Sequence, residues 1–256
     1  MYTVITVRET KRVPDKPRPN GGIIMKKNLT ELVFILDESG SMAGLTADTI
    51  GGFNSLIDKQ KNEEGEAFVT TVFFSNESKT VHDRLPVGEV PKLTNKEYVP
   101  SGCTALLDAV GDTIRHIADI HKYAREEDRP EKTLFVITTD GMENASRRFT
   151  QREIKKMITK EQEEYGWEFL FLGANIDAAE TADSMGIRAE NAVEYHSDCE
   201  GTNVLYEAVG CAVSSMRSAK CVGKAWRKSV EADNERRSSE NAPAKEKKGR
   251  FGIFGK

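Results

Sequence analysis

The chain has 256 residues, enough for one large domain or two small ones with a core of ordinary size. A hydrophobic share of 38% and a mean hydropathy of −0.52 describe a soluble, highly charged chain, and no apolar run reaches the roughly 18–20 residues that cross a bilayer, so stable membrane insertion is not expected. The net charge of −4 is uneven: Arg217 to Lys256 holds 12 basic and 5 acidic residues, a surplus of seven. The part before it therefore carries −11, a balance that argues against a nucleic-acid-binding core.

Residues 1–28 read as an N-terminal extension and linker: a short β-like piece (Tyr2 to Val7), then Pro, Lys and Arg through Asn20-Gly21-Gly22. They carry no signal-peptide pattern, and Met25-Lys26-Lys27 also reads as a translation start. From Leu32 the pattern alternates strand and helix. Leu32–Asp37 is a continuous apolar run, as for a strand covered on both faces. Thr46 to Lys61 places Ile50, Phe53, Leu56 and Ile57 on one helical face. Phe68–Ser75 and Lys79–Leu85, joined by Asn76-Glu77, predict an antiparallel hairpin, and Thr104–His121 a helix carrying Leu107, Val110, Ile114 and Ile117.

Thr133–Thr139 is a second fully apolar strand, ending at Asp140-Gly141. Thr150-Gln151-Arg152-Glu153 is a capping box that opens a helix with Ile154, Met157 and Ile158. Trp167–Leu172 is a strand closed by Gly173-Ala174-Asn175. Asp177 to Glu180 opens a short helix ending at Gly186, and Ala192–Tyr195 is a last short strand. Thr202 is expected to cap a long helix with Leu205, Val209, Ala212 and Met216 on its stripe. After about Arg227 the composition predicts a basic disordered tail, 228–256, which includes the apolar patch around Phe251 and Phe254. The globular unit is thus 29–227: an α/β, doubly wound, mostly parallel sheet with helices on both faces and Lys79–Leu85 as its antiparallel edge.

Open α/β sheets place ligands at the carboxyl ends of strands. Asp37-Glu38-Ser39-Gly40-Ser41 and Asp140-Gly141 both lie at such ends, and Ser101-Gly102-Cys103-Thr104 opens a helix. Asp37, Ser39, Ser41, Thr104 and Asp140 together supply two carboxylates and three neutral hydroxyls. That is the oxygen chemistry a hard cation such as Mg²⁺ takes. Singly, each motif is also an ordinary cap or turn: Thr104 would cap the helix behind it, and Asp140-Gly141 would be a strand-to-loop turn.

With these segments in this order, Leu32 to Met216 resembles the von Willebrand factor type A (vWA) family, of the intracellular bacterial or phage type. Asp37, Ser39 and Ser41 match the Asp-x-Ser-x-Ser of its metal-ion-dependent adhesion site (MIDAS). Gly-Cys-Thr-Ala-Leu-Leu-Asp-Ala offers Thr104, and Thr-Thr-Asp-Gly-Met-Glu-Asn offers Asp140. The resemblance implies a strand order of 3-2-1-4-5-6 and a site for Mg²⁺, with Mn²⁺ or Ca²⁺ as alternatives. It also implies that Asp37 and Asp140 act through water or by hydrogen-bonding the coordinating hydroxyls, and that an Asp or Glu of another protein fills the open position.

The expected function is a non-enzymatic, cytoplasmic, metal-dependent protein-binding module. Two alternatives stand beside it: a metal-assisted hydrolase with Asp37 or Asp140 as base, and an adaptor subunit of an AAA-ATPase or stress-response system. Hydroxyl-rich coordination argues against the hydrolase, as does the lack of a P-loop, a Gly-x-Ser-x-Gly elbow or a His-Glu-x-x-His motif. Cys103, Cys199, Cys211 and Cys221 show no zinc or disulfide spacing and read as reduced thiols, Cys103 as a small buried residue. Asp108, one turn after Thr104, is as consistent with a bond to the neighbouring loop as with a solvated charge. Asn175 and Asp177 either cap the next helix or border the site, and the four histidines read as structural.

Overall fold

The computed structural model describes residues 26–219 and 221–240; the expectations for 1–25 and 241–256 lie outside the described residues. Six strands form one sheet: β1 (Lys26–Asp37), β2 (Glu66–Phe74), β3 (Ser78–Pro86), β4 (Pro130–Thr139), β5 (Glu168–Gly173) and β6 (Ala192–Glu194). Their order is β3-β2-β1-β4-β5-β6, with β2–β3 antiparallel and every other pair parallel. The expected order and the single antiparallel edge are both present.

Strand β1 shows why its run is apolar throughout. Leu32, Phe34 and Leu36 join one core layer and Val33 and Ile35 the other, each at most 1% exposed. The first layer is closed by α1 (Thr46–Lys61) through Phe53, Leu56 and Ile57, and by α5 (Cys199–Ala219) through Leu205, Val209 and Ala212. The second is closed by α2 (Leu106–Tyr123), α3 (Gln151–Tyr165) and α4 (Ala178–Ser184), with Val110, Ile114, Ile154, Ile158 and Ala182. Burying each Leu, Ile or Phe of this kind contributes about 1.5–3 kcal/mol. The capping box of α3 is made in full, Thr150 Oγ1 accepting from Glu153 N while Glu153 accepts from Thr150 N.

Three expectations need correction. The helix α5 begins at Cys199, and its N-terminal cap is Asp198, whose carboxylate accepts from Gly201 N at 2.8 Å; Thr202 lies buried inside the first turn. The 228–256 tail is not disordered from its start, because Lys228–Glu240 forms a further helix, α6. It presents few apolar residues, but Val230 is 2% exposed and joins the α1–α5 core layer, while Arg236 and Arg237 pair with acidic residues of α5 and the turn before it. Cys103 is exposed rather than buried.

At the amino ends of the strands a charge is fully enclosed. Glu31 of β1 is 0% exposed, and both its oxygens accept from Arg84 Nε, at 2.9 and 3.2 Å, with His121 Nε2 at 3.3 Å. The histidines are structural where contacts are seen: His82 bonds Thr71 inside the core and His116 pairs with Asp83 at 2.8 Å.

Candidate metal centre

The crevice forms where β1 and β4, neighbours in the sheet, end side by side and send their chains to opposite faces. β1 passes into a 3-10 turn over Gly40–Leu45 and α1; β4 passes into the loop 140–150 and α3. Asp37 ends β1 and is 1% exposed. One of its oxygens accepts from Ser39 N at 2.7 Å, and the other from Thr139 Oγ1 at 2.7 Å. The carboxylate is therefore held by the backbone of its own loop and by the last residue of β4. Its main-chain oxygen accepts from the buried Tyr98 hydroxyl at 2.6 Å.

Ser39 initiates the 3-10 turn without a side-chain capping bond, which leaves its hydroxyl for the crevice, 3.0 Å from Ser41 Oγ. Ser41 Oγ donates to Asp140 Oδ1 at 2.5 Å, a contact between residues 99 apart in sequence. Thr104 precedes α2 and makes no capping bond; Ala105 holds the cap position. Its loop is stitched to both halves of the crevice: Ser101 N donates to Glu38 O at 2.8 Å, Gly40 N to Gly102 O at 3.1 Å, and Thr104 N to Asn144 Oδ1 at 2.9 Å. Gly102 sits at φ 78°, with Asn76 2.8 Å from where a Cβ would stand, so the loop turns there only with glycine. Thr104 Oγ1 lies 4.0 Å from the Cβ position of Gly141.

Asp37, Ser39, Ser41 and Asp140 are thus joined by hydrogen bonds at the crevice, with Thr104 beside Gly141. Asp37, Ser39, Thr104 and Asp140 are at most 5% exposed, and Ser41 is exposed at its mouth. Burial pushes the Asp37 carboxyl above its ordinary value; hydrogen bonds from Ser39 and Thr139 oppose this, and the nearby Asp140 charge adds to it. Two close, buried carboxylates with three hydroxyls and no cation side chain between them are the chemistry a hard divalent ion satisfies, and the donor set fits one. Among the described residues no three His, Cys, Asp or Glu side chains gather to hold a metal, so the hydroxyls are essential to that fit.

No protein-family model matches the sequence, and no curated protein matches it. Solved structures do. The chain is similar to proximal thread matrix protein 1 from the mussel byssus, a structure with a zinc-occupied MIDAS motif, at TM-score 0.52 and 14% identity over 71% of this chain and 47% of that one. It is similar to a von Willebrand factor type A protein from Catenulispora acidiphila at TM-score 0.50 and 14% identity, over 73% and 42%. The PilB minor pilin from Streptococcus sanguinis gives TM-score 0.52 and 10% identity, over 78% and 64%. The fold is vWA-like. The chain spans about half the length of the first two of these structures.

Within the vWA-like fold, residues beyond the five hold the crevice in shape. Asp108 bonds the loop behind Asp140: its carboxylate accepts from Arg147 N, Arg148 N and Phe149 N at 2.9 to 3.0 Å. Burial raises its pKa, but the three backbone N–H groups and the Arg148 guanidinium outweigh that, and the net shift is downward. A carboxyl depressed in the folded state contributes stability that is complete above its unfolded value near 4 and is lost as the pH falls through the folded value. Asp108→Asn is therefore expected to cost about 1–3 kcal/mol near neutral pH, the gap to wild type closing between about pH 4 and lower values. Urea unfolding at a series of pH values measures it.

Asn175, at φ 57°, borders the site, donating from Nδ2 to Asp140 O at 3.3 Å, whereas Asp177 is the cap of α4. Glu38 accepts from Val99 N at 2.6 Å and so braces the Thr104 loop. Ser197, in the turn between β6 and α5, was not singled out in the sequence. Its hydroxyl reaches Asp140 Oδ2 at 3.5 Å. No local pattern marks it, because its relevance comes only from β6 lying two strands away from β4.

Proposed function

We propose that this chain is a metal-dependent protein-binding module, a vWA domain with a complete MIDAS, working in the cytoplasm. Ser39, Ser41 and Thr104 hold Mg²⁺ through their hydroxyls. Asp37 and Asp140 act through water or by accepting hydrogen bonds from those hydroxyls. The ion would supply a Lewis-acidic position that takes a carboxylate from an Asp or Glu of a partner protein. The observation that carries this reading is the Ser41–Asp140 contact at 2.5 Å with Ser39 Oγ 3.0 Å from Ser41 Oγ, which joins the two distant halves of the donor set. A partner surface also finds apolar area at the rim: Val99 is 57% exposed on the Thr104 side, and Met142, just after Asp140, is 74% exposed. Among the described residues the other two exposed large apolar side chains, Tyr123 and Tyr165, lie under Lys122 and Lys160 instead. Among the described residues no helix is long and apolar enough to cross a membrane.

Affinity capture with the purified chain in Mg²⁺ against EDTA, followed by mass spectrometry, tests the reading. Partners retained in Mg²⁺ are expected to be lost in EDTA and with the Asp140→Ala variant. Capture indifferent to both treatments overturns it. So does metal-dependent phosphoester turnover by pure protein that the Asp140→Asn variant lacks, which would make the chain a hydrolase.

A further inference from the structure

The C-terminal helix α6 runs alongside β6 toward the crevice end of the sheet. Arg227 Nη1 bonds Ala189 O at 3.1 Å, Asn234 Nδ2 bonds Glu194 O at 2.7 Å, and Arg237 reaches Asp198. Arg237 is the pivot. Its guanidinium grips the Asp198 carboxylate through both Nη atoms, the Nη2 bond being 3.2 Å, while its Nε sits 2.8 Å from Asp233 of its own helix. Arg236 adds a bond to Glu200 at 2.6 Å. Asp198 is already committed, as cap of α5 and as the residue whose N–H bonds His196 O at 2.9 Å.

The turn 195–199 is therefore clamped from two sides. It has no slack toward α5 either, since a Cβ at Gly201 would stand 2.1 Å from His196 O. Ser197 is the tip of this turn, and its 3.5 Å approach to Asp140 Oδ2 is the longest hydrogen bond to either carboxylate of the crevice. At that separation a displacement of a few tenths of an ångström makes or breaks it.

We infer that Ser197 is a positioning residue of the metal centre, and that α6, through Arg237, sets how firmly it holds Asp140. The bond from Ser197 and the bond from Ser41 fall on opposite oxygens of Asp140, so together they fix the plane of the carboxylate. Groups that orient a ligand in this way typically change metal affinity 10–100-fold when removed.

The inference rests on the metal reading above, and the test separates the two. Mn²⁺ affinity is measured by calorimetry for wild type, Ser197→Ala, Arg237→Ala and the double variant. Amide hydrogen exchange of residues 195–199 is followed in the metal-free proteins. Each single variant is expected to weaken Mn²⁺ binding about 10-fold, and the double variant to be no weaker than Ser197→Ala, because Arg237 acts through Ser197. Exchange over 195–199 is expected to rise in Arg237→Ala. Should that variant fold poorly, Arg237→Lys, which keeps the charge without the two-pronged grip, is expected to give an intermediate loss. A wild type that binds Mn²⁺ with variants that bind equally well, or with losses that add, overturns this inference alone. A wild type that binds no Mn²⁺ overturns the metal reading, and this one with it.

Discussion

Asp140→Ala is expected to abolish measurable divalent-cation binding, a loss of at least about 100-fold, and Ser39→Ala to weaken it by about 10-fold or more. Asp140 accepts from Ser41 at 2.5 Å and lies within reach of Ser197, so its removal takes one of two carboxylates and unfastens two hydroxyls at once. Ser39→Ala removes one donor and leaves both carboxylates in place. Affinity should also rise with pH across the range in which Asp37 titrates, because burial holds that carboxyl above its ordinary value and the ion requires the charged form. Calorimetric titration of the metal-free protein with Mg²⁺ and Mn²⁺ decides the point. Equal affinities in wild type and both variants would remove the ion from this crevice.

Arg217→Ala is expected to be the most destabilising single change outside the apolar core. Arg217 of α5 is 8% exposed, and its guanidinium donates to Gln60 O and Oε1, Glu63 O, Glu64 O and Gly65 O at 2.6 to 3.2 Å. Apart from Gln60 Oε1, those are main-chain carbonyls at the end of α1 and in the turn to β2, where the helix runs out of its own amides. Truncation removes five hydrogen bonds from one buried guanidinium at once, and about 3 kcal/mol of stability should go with them. In a domain of this size that lowers the melting temperature by roughly 6–12 °C. Thermal unfolding measures it, and Arg217→Lys, which cannot span four carbonyls, should recover only part of the loss. Metal affinity should be unchanged, since α1 ends at the opposite end of the sheet from the crevice.

Strand ends, the donor types and the position of each motif on them were all legible from local pattern. An apolar run such as Leu32–Leu36 or Thr133–Ile137 is buried whatever it packs against, and a polar residue that ends it must lie at the sheet's edge. Asp37 and Asp140 stand at two such ends, and Ser41 bonds Asp140 between them, whereas Thr104 comes from the loop before α2. The vWA-like strand order followed from resemblance, and the sheet has it.

What local pattern left out has one common cause. Asp108 among three backbone amides, Ser197 against Asp140 and Arg237 on Asp198 are polar contacts between segments 39 to 57 residues apart. Hydrophobic periodicity reports burial against any neighbour, whereas a hydrogen bond depends on which neighbour is there. The helix α6 illustrates the difference: its composition reads as solvated, yet Val230 in the core and its ion pairs to α5 and the preceding turn seat it against the fold. The chain's own order of residues decided which oxygens stand at the strand ends. Only the folded arrangement decided which of them share an ion's reach and which helix leans on them.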